Sequence, residues 1–267
     1  MKGKAFLVDT TKCSGCRSCQ VACKQWNNLP AEETKFFAGP EYTNPAHLSA
    51  ITFNHVKFFT LDRSNPAMPV WTIMHKKCYH CEEANCMKVC PQEAIGKLDG
   101  WTVIDQSKCV GCAACTHACV YDVPHVLFQN LSRYGSEQPL IKDKSYKCHA
   151  CTVNKRDIPA CAYHCPTGAL TYGNREELLA KARARLNAIR GQYPHASIYG
   201  DTQFGGLRVI TILKEHPEKY GLPMQPKPVD AEKSEAIRDT YHLLSLFTFG
   251  LPSLKRVAYR ISKSLVG

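Results

Sequence analysis

The chain offers no apolar run long enough to cross a membrane. Its most apolar late stretch, Tyr241 to Leu254, covers 14 residues and is interrupted by Gly250 and Pro252. As a helix it would reach about 21 Å, against a hydrocarbon core of roughly 30 Å. Met1 to Val8 has neither a long apolar segment nor a small-residue cleavage site, so no cleavable signal is expected. No nucleophile–base pair, nucleotide-binding glycine loop or molybdopterin signature stands out, and the chain is expected to catalyse nothing alone. Nor is any cysteine left over from a motif. All 16 fall into four groups of four.

The groups are Cys13, Cys16, Cys19, Cys23; Cys78, Cys81, Cys86, Cys90; Cys109, Cys112, Cys115, Cys119; and Cys148, Cys151, Cys161, Cys165. The first and third read C-x₂-C-x₂-C-x₃-C, the run that wraps a [4Fe–4S] cluster in bacterial ferredoxins. The second has one wider gap (C-x₂-C-x₄-C-x₃-C) and the fourth a much wider one (C-x₂-C-x₉-C-x₃-C). Both carry the following proline, Pro91 and Pro166, that completes the ferredoxin signature. Thiolates at two-residue intervals must come from a looping backbone, which turns its amides inward to donate to sulfur. Gly15 and Gly111, each just before a ligand, suit that close approach. The prediction is four [4Fe–4S] clusters and electron transfer.

Zinc knuckles also use C-x₂-C, but a zinc site gains nothing from a third thiolate at the next step. A disulfide framework suits small secreted domains, and this chain has 267 residues. The formal charge of +11 would ordinarily suggest nucleic acid or an anionic membrane. Each oxidised cluster with four thiolates carries about −2, so four take +11 to about +3. The basic excess therefore reads as compensation for buried anions, and nucleic acid is not an expected partner. Clusters also replace part of the core, so the apo-protein should fold poorly.

Internal repetition organises the middle of the chain. Val8-Asp9-Thr10-Thr11-Lys12-Cys13 precedes the first motif as Ile104-Asp105-Gln106-Ser107-Lys108-Cys109 precedes the third. After the second and fourth motifs, Pro91-Gln92-Glu93-Ala94-Ile95 matches Pro166-Thr167-Gly168-Ala169-Leu170. Each half-unit reads as a short strand, a cluster loop and a short helix. The expected fold is α+β, with two bacterial-ferredoxin-like two-cluster units, one split around the other. Residues 78–144 form the contiguous unit; 1–30 and 145–222 form the split one. An inserted β segment fills 31–77, where Ile51 to Leu61 and Trp71 to His75 read as strands. Trp26, Trp71 and Trp101 read as packing residues. Arg175 to Arg190 reads as an amphipathic helix with Leu178, Leu179, Ala182, Leu186 and Ile189 on one side and a solvated basic face. Pro223, Pro226 and Pro228 open a linker within a helical C-terminal extension, 223–267.

The stretch Cys19-Gln20-Val21-Ala22-Cys23-Lys24-Gln25-Trp26-Asn27-Asn28-Leu29-Pro30-Ala31-Glu32 resembles the first cluster motif of formate dehydrogenase β subunits. Cys165-Pro166-Thr167-Gly168-Ala169-Leu170 resembles the family's fourth motif. Gly205-Gly206 and Tyr220-Gly221-Leu222-Pro223 match in character, so the resemblance covers roughly residues 4 to 225. The cysteine pattern alone is shared with four-cluster subunits of other molybdopterin oxidoreductases. Nitrate reductase β subunits carry tryptophan where this chain has Cys112, so four cubanes are expected. The chain departs from the family in the short gap between Cys151 and Cys161, and from ferredoxins in having Lys24 and Val120 in place of proline.

The resemblance implies crossed ligand sets. Cys13, Cys16 and Cys19 share cluster 1 with Cys165; Cys148, Cys151 and Cys161 share cluster 2 with Cys23. Cys78, Cys81 and Cys86 share cluster 3 with Cys119; Cys109, Cys112 and Cys115 share cluster 4 with Cys90. It implies a wire running from cluster 1 at a molybdopterin catalytic α subunit to cluster 4 at a membrane cytochrome or quinone-reactive subunit. It also implies a membrane-associated location on the periplasmic side, with a cytoplasmic alternative. His80, His117, His149 and His164 lie inside the motifs, but with all cysteines present they are expected beside the clusters, not bonded to them. Residues 241–267, with Lys255, Arg256, Arg260 and Lys263, are expected to contact a membrane interface, dock on a membrane subunit, or pack on this protein or its catalytic partner.

Overall fold

The computed structural model describes residues 3–32, 34, 42–62, 70–128, 140–153 and 155–248. Every cysteine motif is entered by a strand and left through a short helix. The first follows β1 (Lys4–Asp9) and runs into α1 (Ser18–Trp26), which carries Cys19 and Cys23. The inserted hairpin of β2 (Asn54–Asp62) and β3 (Val70–Lys77) then leads to the second motif and α2 (Asn85–Lys88). β4 (Ile95–Leu98) and β5 (Trp101–Ile104) lead to the third motif and α3 (Ala114–Ala118). β6 (His125–Val126) and β7 (Ser145–Tyr146) lead to the fourth and α4 (Ala160–Tyr163). Then follow β8 (Leu170–Asn174), α5 (Arg175–Ile189), β9 (Ser197–Tyr199), β10 (Val209–Leu213) and α6 (Ala231–Thr248).

Strand pairing makes the sequence repeat a spatial one. β4 and β5 pair antiparallel with Ile95 opposite Ile104. β1 and β8 pair antiparallel with Val8 opposite Leu170, the two residues that match Ile104 and Ile95 in the repeat. The flanking bonds repeat too: Asp9 N–H donates to Ala169 and Asp105 N–H to Ala94, each at 2.7 Å. The β4–β5 turn is two residues, Asp99 and Gly100, both with positive φ (50° and 80°), which twists a tight hairpin correctly. β1 also pairs parallel to β10, giving a sheet ordered β8-β1-β10-β9. The inserted strands overlap the expected ones, β2 starting at Asn54 and not at Ile51 and β3 running on to Lys77, with Val56 opposite His75.

α5 covers that sheet. Asn174 caps it, its side chain accepting from the amides of Glu176 and Glu177 at 2.9 and 3.4 Å. Leu178, Leu179, Ala182 and Ile189 are buried against Ala5, Leu7, Ile210 and Ile212, while Leu186 is half-buried. The helix's basic residues are not all solvated, contrary to expectation. Arg175 is buried and donates to the carbonyls of Leu207, Gly200 and Asp201 at 3.1–3.3 Å. Arg185 pairs with buried Asp9 at 3.0 Å. Trp101 is buried, edge-on to Phe6 at 5.4 Å. Trp26 is half exposed beneath the Arg156 guanidinium, 4.2 Å from its ring centroid.

The last helix starts earlier than its apolar stretch. α6 begins at Ala231, and Tyr241 is buried on this protein against Val89, Ala114 and Ile237. No described helix is long and apolar enough to cross a membrane. Residues 249–267, with the basic end of the tail, lie outside the described residues.

Candidate metal centres

The third residue of the first C-x₂-C in each motif has left-handed backbone: Gly15 (φ 72°), His80 (49°), Gly111 (68°) and Ala150 (56°). This conformation aims the amide back at the first cysteine of its motif. His80 N–H donates to Cys78 Sγ and Ala150 N–H to Cys148 Sγ, both at 3.4 Å, and the Gly15 amide bonds the Cys13 thiol. Other amides join from outside the loops: Ala94 to Cys90 at 3.3 Å, Leu170 to Cys165 at 3.3 Å, and Ser145 to Cys109 at 3.4 Å. Sulfur surrounded by fixed N–H donors is the setting an iron–sulfur cluster needs.

The sixteen cysteines gather by space, not by motif. Cys13 lies among Cys16, Cys19 and Cys165. Cys23 leaves its own motif for Cys148, Cys151 and Cys161. Cys119 joins Cys78, Cys81 and Cys86. Cys90 joins Cys109, Cys112 and Cys115. Between quartets, Cys19 neighbours Cys161, and Cys86 neighbours Cys115.

Two of these quartets visibly enclose space. Cys78, Cys81, Cys86 and Cys119 line one cavity; Cys23, Cys148, Cys151 and Cys161 line another. Among the described residues, no three of His, Cys, Asp or Glu converge tightly enough to hold a single metal ion. A cubane takes one thiolate at each of four separated irons, so spread quartets around a cavity fit it, and a tetrahedral zinc site does not follow from them.

Burial and mutual repulsion push these thiols up. Burial is the larger cause, and neighbouring cysteines add to it: Cys19, Cys112 and Cys151 rise to about 12 and Cys119 to about 11. Cys23, Cys81, Cys86 and Cys115 are raised for the same reasons. The cages hold thiolates only when cationic iron supplies the compensating charge, so filling them releases protons.

The chain matches two models, each of a 4Fe-4S dicluster domain, over residues 12–94 and 69–175. It is 33% identical to the iron–sulfur subunit of the nitrate-inducible formate dehydrogenase of Escherichia coli (strain K12), over 84% of this chain and 73% of that one. It is 31% identical to formate dehydrogenase 2 subunit beta (cytochrome c-553) of Nitratidesulfovibrio vulgaris, over 81% and 96%. It is also 28% identical to the hydrogenase-2 operon protein HybA of Escherichia coli O157:H7, over 89% and 78%. The chain belongs to the family of formate dehydrogenase iron–sulfur subunits. As a member it carries four [4Fe–4S] clusters in two dicluster domains, and its role is electron transfer within an oxidoreductase, not catalysis.

The residues around the clusters of this family member divide into expected and unexpected ones. None of the four motif histidines stands in for a cysteine. His80 is fully buried, with Nδ1 3.2 Å from the Thr102 carbonyl. Burial first, then Lys147 and Lys77, hold its pKa well below the ordinary histidine range. His149 is lowered to about 4, mainly by burial. His117 stacks on Tyr241, and His164 is exposed beside Tyr163. Sequence reasoning missed Asn27, whose amide reaches Cys23 Sγ at 3.7 Å, and Ser145, whose hydroxyl is 3.6 Å from Cys115 Sγ. It also missed Lys77 and Lys147, buried at 1% and 4% exposure. A signal for them existed: lysine precedes the first cysteine of every motif, at Lys12, Lys77, Lys108 and Lys147.

Proposed function

We propose that the chain is the four-cluster wire of a formate dehydrogenase, taking electrons from a molybdopterin catalytic subunit and delivering them to a membrane cytochrome or quinone-reactive subunit. The observation that carries this reading is the crossed cysteine quartet. A motif whose last cysteine serves a neighbouring cluster sews clusters together in pairs, at distances short enough for electron transfer. The ligand sets are Cys13, Cys16, Cys19, Cys165; Cys23, Cys148, Cys151, Cys161; Cys78, Cys81, Cys86, Cys119; and Cys90, Cys109, Cys112, Cys115. The proximity of Cys19 to Cys161 and of Cys86 to Cys115 supports the neighbouring of cluster 1 with 2 and of cluster 3 with 4; the order 1, 2, 3, 4 follows from the family resemblance.

The same reading makes 78–144 one ferredoxin-like unit and splits the other between 1–30 and 145–222. The pairing of β1 with β8, equivalent to that of β4 with β5, supports it. Residues 31–77 are then an insert, and 223–267 an extension that docks cluster 4 toward its acceptor. The family resemblance supports association with the periplasmic face of a membrane.

The test uses the native complex, purified anaerobically, with the visible iron–sulfur absorbance followed after adding formate. Bleaching by formate supports the wire and its donor. Bleaching by hydrogen but not formate favours the hydrogenase-type role suggested by the similarity to HybA. A sample bleached only by dithionite removes both donors.

A further inference from the structure

Lys77 and Lys147 are two of the most buried cations in the protein, and each points away from the motif it begins. Lys77 immediately precedes Cys78, yet its Nζ lies 3.8 Å from Cys161 Sγ and lines the cavity of Cys23, Cys148, Cys151 and Cys161. The Phe6 ring lies beneath it, 2.9 Å from Nζ to centroid. Lys147 immediately precedes Cys148, yet it lines the cavity of Cys78, Cys81, Cys86 and Cys119. Its Nζ donates to the carbonyls of Thr102 and of Cys148, the latter at 3.1 Å. The Thr102 carbonyl also faces His80 Nδ1. Lys12 and Lys108, at the same position before the outer motifs, are exposed.

Neither buried lysine forms an ion pair with a carboxylate among the described residues. A buried ammonium without a counter-anion is costly, and aromatic or carbonyl partners compensate it only in part. The compensating anions available are the clusters, each with a net charge of about −2 when oxidised. The interaction works both ways. A cation at a cluster's edge favours the more negative, reduced form, and so raises that cluster's reduction potential. Two inner clusters side by side would otherwise each make the other harder to reduce.

We propose that Lys77 and Lys147 are crossed potential-setting residues, each supplied by one inner motif and acting on the cluster of the other. Lys77 raises the potential of cluster 2 and Lys147 that of cluster 3, keeping the middle of the wire reducible. The exchange also links the two units electrostatically, since Lys147 of the split unit serves the contiguous unit's cluster and Lys77, the last residue of the insert, serves the split unit's. This rests on the ligand sets proposed above.

The test is an anaerobic redox titration of the native complex, followed by electron paramagnetic resonance, with iron content measured on every sample. In Lys77→Gln one of the four midpoint potentials falls; in Lys147→Gln a different one falls; the double variant shows both. Lys77→Arg and Lys147→Arg, which keep the charge, restore each potential toward wild type. Lys12→Gln and Lys108→Gln, which change exposed lysines, move none. Four unmoved potentials at wild-type iron content would overturn the proposal. So would potentials that fall as far in the arginine variants, because packing and not charge would then be responsible. Wild-type complex with iron for fewer than four clusters in this subunit would instead overturn the ligand sets, and the lysine roles with them.

Discussion

A Cβ on Gly111 would stand 2.0 Å from the carbonyl oxygen of Asp143. The third cysteine loop is thus clamped under the turn that leads into β7, where Ser145 reaches both Cys109 and Cys115. Gly111→Ala cannot be absorbed by a side-chain shift, because the obstacle is backbone. The expected result is loss of the cluster held by Cys109, read as a fall in iron of about one quarter. Gly15→Ala meets only the Phe58 ring (2.8 Å) and Ile73 (3.0 Å), which can move, so its cluster is retained with reduced thermal stability. Gly168→Ala meets nothing within 4 Å, and its positive φ alone should cost about 1 kcal/mol.

The wire order makes the two ends of the chain of clusters distinguishable. Cys109→Ala removes a ligand of the exit cluster, so formate should still bleach the inner clusters while transfer to the membrane acceptor stops. Cys13→Ala removes a ligand of the entry cluster, so formate should bleach none, although dithionite reduces those that remain. Identical behaviour of the two variants would contradict the order.

What the sequence carried was whatever depends on covalent spacing. The four cysteine groups, Gly15 and Gly111, and the strands around Val56 and Ile73 were legible because ligand spacing and period-two alternation are local properties. The equivalence of Val8–Leu170 with Ile104–Ile95 was half legible: the repeat is in the residues, but only the fold shows that the matching residues pair. Spacing could not reveal which cysteine crosses to which quartet, and that came from family resemblance. His80 and Ala150 adopt the left-handed turn of Gly15 and Gly111 without glycine's signature. Arg175, Lys77 and Lys147 are buried against the usual habit of their residue types, because carbonyls and anionic cages await them. The basic excess reads as compensation for anionic clusters, but composition does not say where a charge goes.

Acid should loosen the inserted hairpin. His55 is buried beside the Pro45 carbonyl, and burial lowers its pKa to about 4; His75 across the hairpin is lowered well below the ordinary value, again mainly by burial. Both stay neutral in the fold, whereas the unfolded chain takes up protons near pH 6.5. Their contribution is therefore fully present above that value and is lost as pH falls toward 4. The slope is up to about 1.4 kcal/mol per pH unit for each histidine. Thermal bleaching measured at pH 7.5 and 5.5 should show a clear drop in midpoint, and His55→Gln should make that drop smaller. An unchanged drop would assign the acid sensitivity to other groups.

The first half of α6 closes over the motifs of the contiguous unit. Tyr241 stacks on His117 at 6.0 Å, Arg238 meets Glu93 at 3.1 Å, and the Val229 amide donates to Asn85 at 2.8 Å. Val89, Ala114 and partly buried Cys112 lie under this lid, so it limits access to the cluster held by Cys112. Tyr241→Ala removes a buried ring, a change that typically costs about 3–5 kcal/mol in a core. The expected outcome is faster bleaching of one cluster in air, with the remaining absorbance decaying at the wild-type rate. Leu243→Ala, at a position 56% exposed, should change nothing. Removing residues 241–267 should reproduce the air sensitivity and also release the complex from membranes. Tyr241→Ala divides those two effects. If it preserves membrane association, attachment belongs to the later, basic part of the tail; if association is lost with it, the helix must be seated on this protein before the tail can reach its target.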